Sequence, residues 1–575
     1  MKRSFFLIML ILFILSFEMN YAQINFQDQA SARGVGASCG IIDLGGGVSF
    51  FDYNNDGWDD ITLATQESEN LGIYKNTQDG FFILETNLNP NNTFQQKQPV
   101  WVDFDNDGDF DLYVTSDVDG NRLYRNNGNS LMDITSDAGL PLPNLFTYGS
   151  SWGDYNNDGY LDVFISNRDV NFQIPNYLFK NNGDGTFTNV SLAAGIGMGS
   201  HLSFCAAFFD YNNDGWQDIY VANDKIQTRN LLYHNNGDGT FTEVGQSSGT
   251  DVAIDAMSTT IGDYNNDGWF DIYVTNGPEG NVLFRNNTDG TFTDEALTSG
   301  TIFNSTGWGA VFLDAENDGD QDLYVSGSSD GGLPYILSAA FYDNQSDGTF
   351  SLLSNGSFSN DNLESYANAI GDIDNDGYPE IVVSNSGNGD LFLWKNLTLT
   401  SNNWLKIKLE GTTSNRQGIG STIEISVDGQ KQYRYTLCGE GYMGQNSASE
   451  FFGLGQHTVL DYVKVKWLSG IEDILYHVPV NQTVTVVEGS SLSIADHNQR
   501  LHVYFDNPVR DVLHIRTSSP MEGYVIFDSI GKEIMRGRVS NHQTGINIEQ
   551  LQTGIYYCKL SFLEHSQKVI RVVKH

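Results

Sequence analysis

The residues best suited to chemistry in this chain are carboxylates and side-chain amides in one recurring short pattern. In "DYNNDGWDD", beginning at Asp52, oxygen-bearing side chains stand at positions 1, 3, 5 and 9: Asp52, Asn54, Asp56 and Asp60. Gly57, at position 6, permits the sharp turn that gathers them. Position 7 varies freely (Trp58, Asp109, Tyr160), which suits a residue that gives only its backbone carbonyl. Hard cations such as Ca2+ take roughly six to eight oxygens of this kind. The pattern recurs as Asp103, Asp105, Asp107 and Asp111, as Asp154, Asn156, Asp158 and Asp162, and as Asp210, Asn212, Asp214 and Asp218. It recurs again as Asp263, Asn265, Asp267 and Asp271, as Asp314, Glu316, Asp318 and Asp322, and as Asp372, Asp374, Asp376 and Glu380. Of these 28 positions 24 are acidic. Three or four carboxylates within a few ångströms repel and raise their own pKa values unless a cation joins them. The pattern predicts up to seven structural Ca2+ ions, which would move the net charge from −42 to about −28. The longer arms of Glu316 and Glu380 alter the geometry of the sixth and seventh loops.

The start of the pattern matches the D-x-[DN]-x-[DN]-G of an EF-hand. Position 12 does not, being Leu63 in the first copy and Val114 in the second where an EF-hand needs Glu, and the flanks are β rather than helical. Asp, Asn and Gly also favour metal-free turns. One copy would leave the two readings even; seven copies with acids at positions 1, 5 and 9 favour metal.

The copies are spaced by 51, 51, 56, 53, 51 and 58 residues, a period that fits propeller blades or a solenoid. Each unit reads as four strands: a short apolar segment before the motif, a β-branched run such as "DIYVA" after it, then a hairpin such as "NLLYHNNGDGTFTEV". Three residues before each motif the side chains are slim (Ser49, Val100, Ser151, Ala207, Thr260, Val311, Ala369). Two residues before it they are large (Phe50, Trp101, Trp152, Phe208, Ile261, Phe312, Ile370). Adjacent strand residues point to opposite faces, so the large set is expected to pack between neighbouring sheets. The seventh unit ends at "DLFLWKNL" (390–397) without a fourth strand, while "INFQDQASARGV" (24–35) reads like the fourth-strand segments of other units. That circular offset leaves no open edge and predicts a ring. The expected fold class is all-β: a seven-bladed β-propeller followed by two smaller β-rich domains.

Composition agrees. The 575 residues are too many for one core, and 13% aromatics with 39% hydrophobics argue against disorder despite the charge. A surface this acidic excludes nucleic acid as a partner. The N-terminus (1–22) reads as a secretory signal, with Lys2 and Arg3 ahead of an apolar Phe5–Phe17 and Ala22 at the cleavage site. No later run is long enough for a transmembrane segment. Four distant cysteines imply no disulfide framework. Residues 23–402 hold 54 acidic and 11 basic groups, whereas 403–489 hold 9 and 7, so the charge belongs to the repeats.

The sevenfold "D-x-[DN]-x-DG-x-x-D" ahead of apolar strands resembles the FG-GAP/VCBS repeats of integrin-α-type propellers, over about residues 24–400. The resemblance implies that the loops bind calcium structurally, through the residues named above. In 403–489, "SNRQGIGSTIEI", "GEGYMGQNS", "FFGLG" and "VKVKWLSG" resemble the ASPIC/UnbV domain, which follows such repeats in cartilage-acidic-protein-like chains. After a linker at 490–499, "NPVRDVLHI", "DSIGKEI" and "LQTGIYYCKL" in 500–575 resemble the C-terminal sorting domain of type IX secretion cargo, with "DNP" in place of the usual "PNP". That resemblance implies export across a Gram-negative outer membrane by the type IX machinery, then secretion or attachment at the cell surface.

"GEGYMGQNS" (439–447) invites comparison with a phosphate cradle, but it lacks G-x-x-x-x-G-K-[ST] and reads better as a turn cluster. Arg416 and Glu440 invite pairing into a polar site; a surface pair is the better reading. With only His201 and His234 in the repeats and no H-E-x-x-H or G-x-S-x-G motif, no catalytic residues are assigned. The expected function is adhesion or binding of an extracellular glycan or protein; the alternative is a lyase-like enzyme acting on polysaccharide. Six residues before each motif stand Gly46, Lys97, Tyr148, Phe204, Met257, Trp308 and Tyr366, several of them aromatics able to stack on sugars or to plug the channel.

Overall fold

A computed structural model describes residues 23–575 apart from 89, 91, 198, 329–336, 355–356, 359–360, 362, 388, 493–502, 506–507, 518–519, 529–531, 540–542 and 563–566. The signal segment (1–22) and most of the linker at 490–499 lie outside the described residues. The chain divides into two compact units, the first ending at Ser490 and the second beginning at Ser491.

In the first unit, the described residues form seven antiparallel sheets that follow one another along the chain, before two further ones. The first runs Val48–Phe51, Asp60–Leu63, Gly72–Asn76 and Phe82–Leu84, with the acidic loop between its first two strands. The same four-strand order repeats from Pro99, Thr147, Ser203, Thr260 and Thr306. The last sheet, Ser365–Gly371, Glu380–Asn385 and Phe392–Asn396, takes its fourth strand from the chain start, with Phe26 opposite Asn396 and Asp28 opposite Trp394.

The seven sheets form a closed propeller because each packs on the next and the last packs on the first. The large residues of the inner strands do this packing. Phe208 lies against Gly153, Phe312 against Gly262 and Phe50 against Gly371; a Cβ on any of these glycines would sit 2.6 to 2.7 Å from the ring. The third contact joins the seventh sheet to the first. Trp101 stacks on Tyr53 at 4.7 Å and donates its indole N–H to Thr62.

Residues 404–487 build two further sheets. One joins Trp404–Glu410, Ser449–Gly453 and Gln482–Val487; the other joins Gln430–Tyr435, Thr422–Val427, Tyr462–Lys466 and Glu472–Tyr476. Their shared core contains Leu405, Ile407, Ile423, Val465 and Trp467. The second unit is a separate pair of sheets around Leu513, Ile515, Ile526, Cys558 and Leu560. All four cysteines are free and buried.

Candidate metal centres of the acidic loops

The backbone of each loop winds around its first carboxylate. In the first loop Asp52 accepts the N–H groups of Asp56 (2.9 Å) and Gly57 (3.0 Å), Asn54 accepts that of Asp56, and Asp56 accepts that of Trp58. Position 6 has positive φ throughout, from 82° to 105°, which explains its glycine. The third, fourth and fifth loops repeat these bonds. The turn therefore presents the oxygens at positions 1, 3, 5 and 9 together.

Burial is uneven around the loop. Position 1 is buried in every copy, and position 9 (Asp60, Asp111, Asp162, Asp218, Asp271, Asp322, Glu380) is fully buried. Burial pushes Asp60 and Asp111 up to about 9 and Asp162, Asp271 and Asp322 well above the carboxylate range; neighbouring loop carboxylates add to each shift. Asp218 rises only to about 7, because His234 Nδ1 lies 3.2 Å from it. Carboxylate oxygens of Asp103, Asp105, Asp111, Asp271 and Glu316 are buried with no hydrogen-bond partner. Oxygens of Asp103, Asp105 and Asp111 lie within 4.8 Å of one another, as do those of Glu316, Asp322 and Asp343 and those of Asp372, Asp374 and Glu380. A cluster of unsatisfied hard oxygens at this spacing has the donor chemistry a hard divalent cation requires.

Two features lie beyond the sequence reading. Position 4 is Asn in all seven loops (Asn55, Asn106, Asn157, Asn213, Asn266, Asn317, Asn375), with φ between 54° and 60°. Each side-chain amide donates to the position-6 carbonyl of the next loop, at 2.9 to 3.2 Å, and Asn375 closes the circle on Gly57. The invariance of that Asn was the available signal. The second feature is Asp343, which joins the sixth cluster from the third strand. Its equivalents in the other sheets are Lys75, Arg125, Lys180, His234, Arg285 and Lys395.

The residues six before each motif converge on the hub, but they do not line an open pocket. Tyr148, Phe204, Trp308 and Tyr366 each fall where the inner strand bulges, and the bulge turns the ring inward. Tyr442 fills the space between them, 5.4 Å from Phe204, 5.1 Å from Trp308 and 6.5 Å from Tyr366, and bonds Leu44 O at 2.8 Å. Thus "GEGYMGQNS" is neither a phosphate cradle nor a simple turn cluster but a strap through the ring. Gly444–Gln445 pairs parallel with Val48–Ser49, Gln445 exchanges two hydrogen bonds with the Trp101 backbone, and Gly441 bridges to Thr259. Cys438 O accepts from Trp152, and Asn446 accepts from Ile370. Its glycines are needed: Gly439 and Gly441 have φ of 79° and 61°, and a Cβ on Gly444 would lie 2.6 Å from Asn368 O.

A different stretch, residues 406–417, stands against the first, second and seventh acidic loops. Lys406 Nζ meets Asp372 at 2.8 Å and Lys408 Nζ meets Asp52 at 3.4 Å. Gln417 accepts the Asp103 N–H, and Arg416 packs over Gly108. Arg416 pairs with Glu410 at 3.1 Å, not with Glu440, which is half-buried and lines a separate cavity with Arg434 and Glu450.

Fold and loops together define a repeat β-propeller bearing an acidic loop on each repeat. Its parts match known family models: FG-GAP-like repeats over residues 52–325, an ASPIC and UnbV domain over 411–493, and a secretion system C-terminal sorting domain over 503–574. The chain thus carries FG-GAP-like repeats, an ASPIC and UnbV domain and a secretion sorting tail. It is similar to cartilage acidic protein 1 of Xenopus tropicalis (25% identity, 52% of this chain and 48% of that protein) and of Homo sapiens (28%, 34% and 30%). The chain spans about half the length of the first relative and less of the second. Similar solved structures include the extracellular domain of a putative hybrid two component system from B. thetaiotaomicron (12% identity, 95% of this chain, 66% of that one, TM-score 0.41). The SapL1 lectin in complex with alpha methyl fucoside is another (12%, 54% and 96%, TM-score 0.33). The sorting domain marks the chain for secretion or cell-surface attachment. Among the described residues no helix is long and apolar enough to cross a membrane.

Proposed function

We propose that this chain is a calcium-binding propeller protein, exported by the type IX machinery, that binds an extracellular glycan or protein and catalyses no reaction. The buried, unpartnered carboxylate oxygens of the second, fifth and sixth loops carry the calcium reading, and the shared turn geometry extends it to the others. Left alone, such groups must take up protons or repel; a divalent cation satisfies both their charge and their lone pairs. The ligands are the side chains at positions 1, 3, 5 and 9 with the carbonyl of position 7. The filled hub supports the binding reading in a specific form. Tyr442 occupies the place where the aromatic ring would otherwise stack on a sugar, so contact with a ligand falls at the rim.

A ligand bound only by the native state must raise its stability. Calorimetry with and without a calcium chelator tests the metal; an unchanged melting temperature would refute it. Glycan and protein arrays probed under both conditions test the partner. Binding by neither class would refute the adhesive role.

A further inference from the structure

We propose that the seventh acidic loop takes no metal ion, because Lys395 already supplies its cation. The inference rests on the calcium reading of the other loops and departs from it at one site. Lys395 Nζ lies 2.9 Å from Asp374, 3.0 Å from Asp376 and 2.6 Å from Glu380, the carboxylates at positions 3, 5 and 9. Asp372, at position 1, is held by Lys406 at 2.8 Å. Every carboxylate of the loop is thus paired with an ammonium group. The close approach of Asp372, Asp374 and Glu380 oxygens is what their lysines produce. The first, third and fourth loops also keep no unpartnered buried carboxylate oxygen; what sets the seventh apart is one buried lysine holding three of its carboxylates.

The equivalent residues elsewhere do less. Lys75, Arg125 and Lys180 each touch one loop carboxylate, at 3.1 to 3.3 Å, and are 33 to 37% exposed, so an arriving ion can displace them into water. The Lys395 side chain is only 5% exposed and has nowhere to swing without leaving Glu380 buried and uncompensated. Glu380 is the adaptation that completes the site. In the six other sheets the position-9 Asp accepts the backbone N–H of the Asn that ends the third strand, as Asp60 does from Asn76. The longer Glu380 instead accepts from Lys395 through one oxygen and from the Ile373 N–H through the other. The sixth loop is the opposite case: Asp343 replaces the basic residue, and Glu316 and Asp320 keep unpartnered buried oxygens. The FG-GAP-like match also ends at residue 325, before the seventh loop.

Native mass spectrometry of the full chain titrated with Ca2+ reads the ion count. The expected count is six at most, unchanged by Asp376→Asn and lowered by one by Asp158→Asn in the third loop. Lys395→Gln should raise it by one. Seven ions in the unaltered chain, or loss of one ion in Asp376→Asn, would overturn the proposal. A second readout needs no metal: in excess chelator, Lys395→Gln should lower the melting temperature by several degrees, and an unchanged value would also overturn it. A chain that binds no calcium at all refutes the calcium reading, and the chelator measurement then still decides whether Lys395 is the cation of this loop.

Discussion

Replacing Tyr442 by alanine should destabilise the first unit by about 4 kcal/mol, although the residue lies far in sequence from every repeat. Its side chain is fully buried among Phe204, Trp308 and Tyr366. Truncating a buried aromatic to alanine costs about 3–5 kcal/mol, part of it for the cavity left behind. The inward-turned rings cannot collapse into that cavity, because each is fixed by a bulge in a different sheet. Loss of the bond to Leu44 O accounts for about 1 kcal/mol of that total. Tyr442→Phe removes only that bond, so the difference between the two variants isolates the packing. For a unit of this size the unfolding entropy is about 1 kcal/mol per kelvin, so the alanine variant should melt about 4 °C lower and the phenylalanine variant about 1 °C lower. Calorimetry of the full chain in saturating calcium measures both. An alanine variant within 1 °C of the unaltered protein would refute the view that the strap holds the ring together.

Asn157→Ala should cost about 2 kcal/mol, since it loses the bond to Gly215 O and must hold a left-handed backbone at φ 54°; Asn157→Gly relieves the strain and should cost about 1 kcal/mol, read by urea denaturation. Glu440 and Glu450 line a cavity of about 70 Å³ where desolvation pushes them up to about 7 and about 8. Their folded pKa values exceed the unfolded ones, so their stabilising contribution is complete below about pH 4.5 and is lost as pH rises through 7 and 8. Glu450→Gln, measured in saturating calcium, should flatten the fall in melting temperature between pH 6 and 8 and make the protein more stable at pH 8. An unaltered pH profile would contradict this.

The repeats were legible in the sequence because each is a local, periodic device. Small and large residues alternate before every motif, and the large ones, such as Phe50 and Trp101, pack between sheets as alternation requires. The fourth strand at Phe26–Asp28 was visible as a missing piece at one end and a spare piece at the other. The hub was not legible. Nothing in "GEGYMGQNS" states that its tyrosine will meet aromatics contributed from residues 204, 308 and 366. Only the glycine density hinted at it, and glycine density marks tight backbone without saying against what. Lys395 escaped for a related reason: it looks like the basic residues at the same strand position until its burial and its three partners are known.

Charge placement then constrains where a partner can bind. The repeats carry most of the acidic excess, yet Lys406, Lys408, Arg416 and Gln417 stand against the seventh, first and second loops. That face is not sealed: Asn55, Asp103, Gly108, Lys408, Glu410 and Arg416 line an open cavity of about 330 Å³ beside the first two loops. The strap, by contrast, bonds to the inner strands and not to the loop carboxylates. Positions 3 and 5 remain half-exposed or exposed in the first, third, fourth and fifth loops, so ions would enter from the rim. Calcium removal should therefore loosen the loops without releasing the 404–487 sheets. Limited proteolysis in chelator checks this: early cuts should fall within the acidic loops, and early excision of the 404–487 segment would show that the ions, rather than the strap, hold it in place.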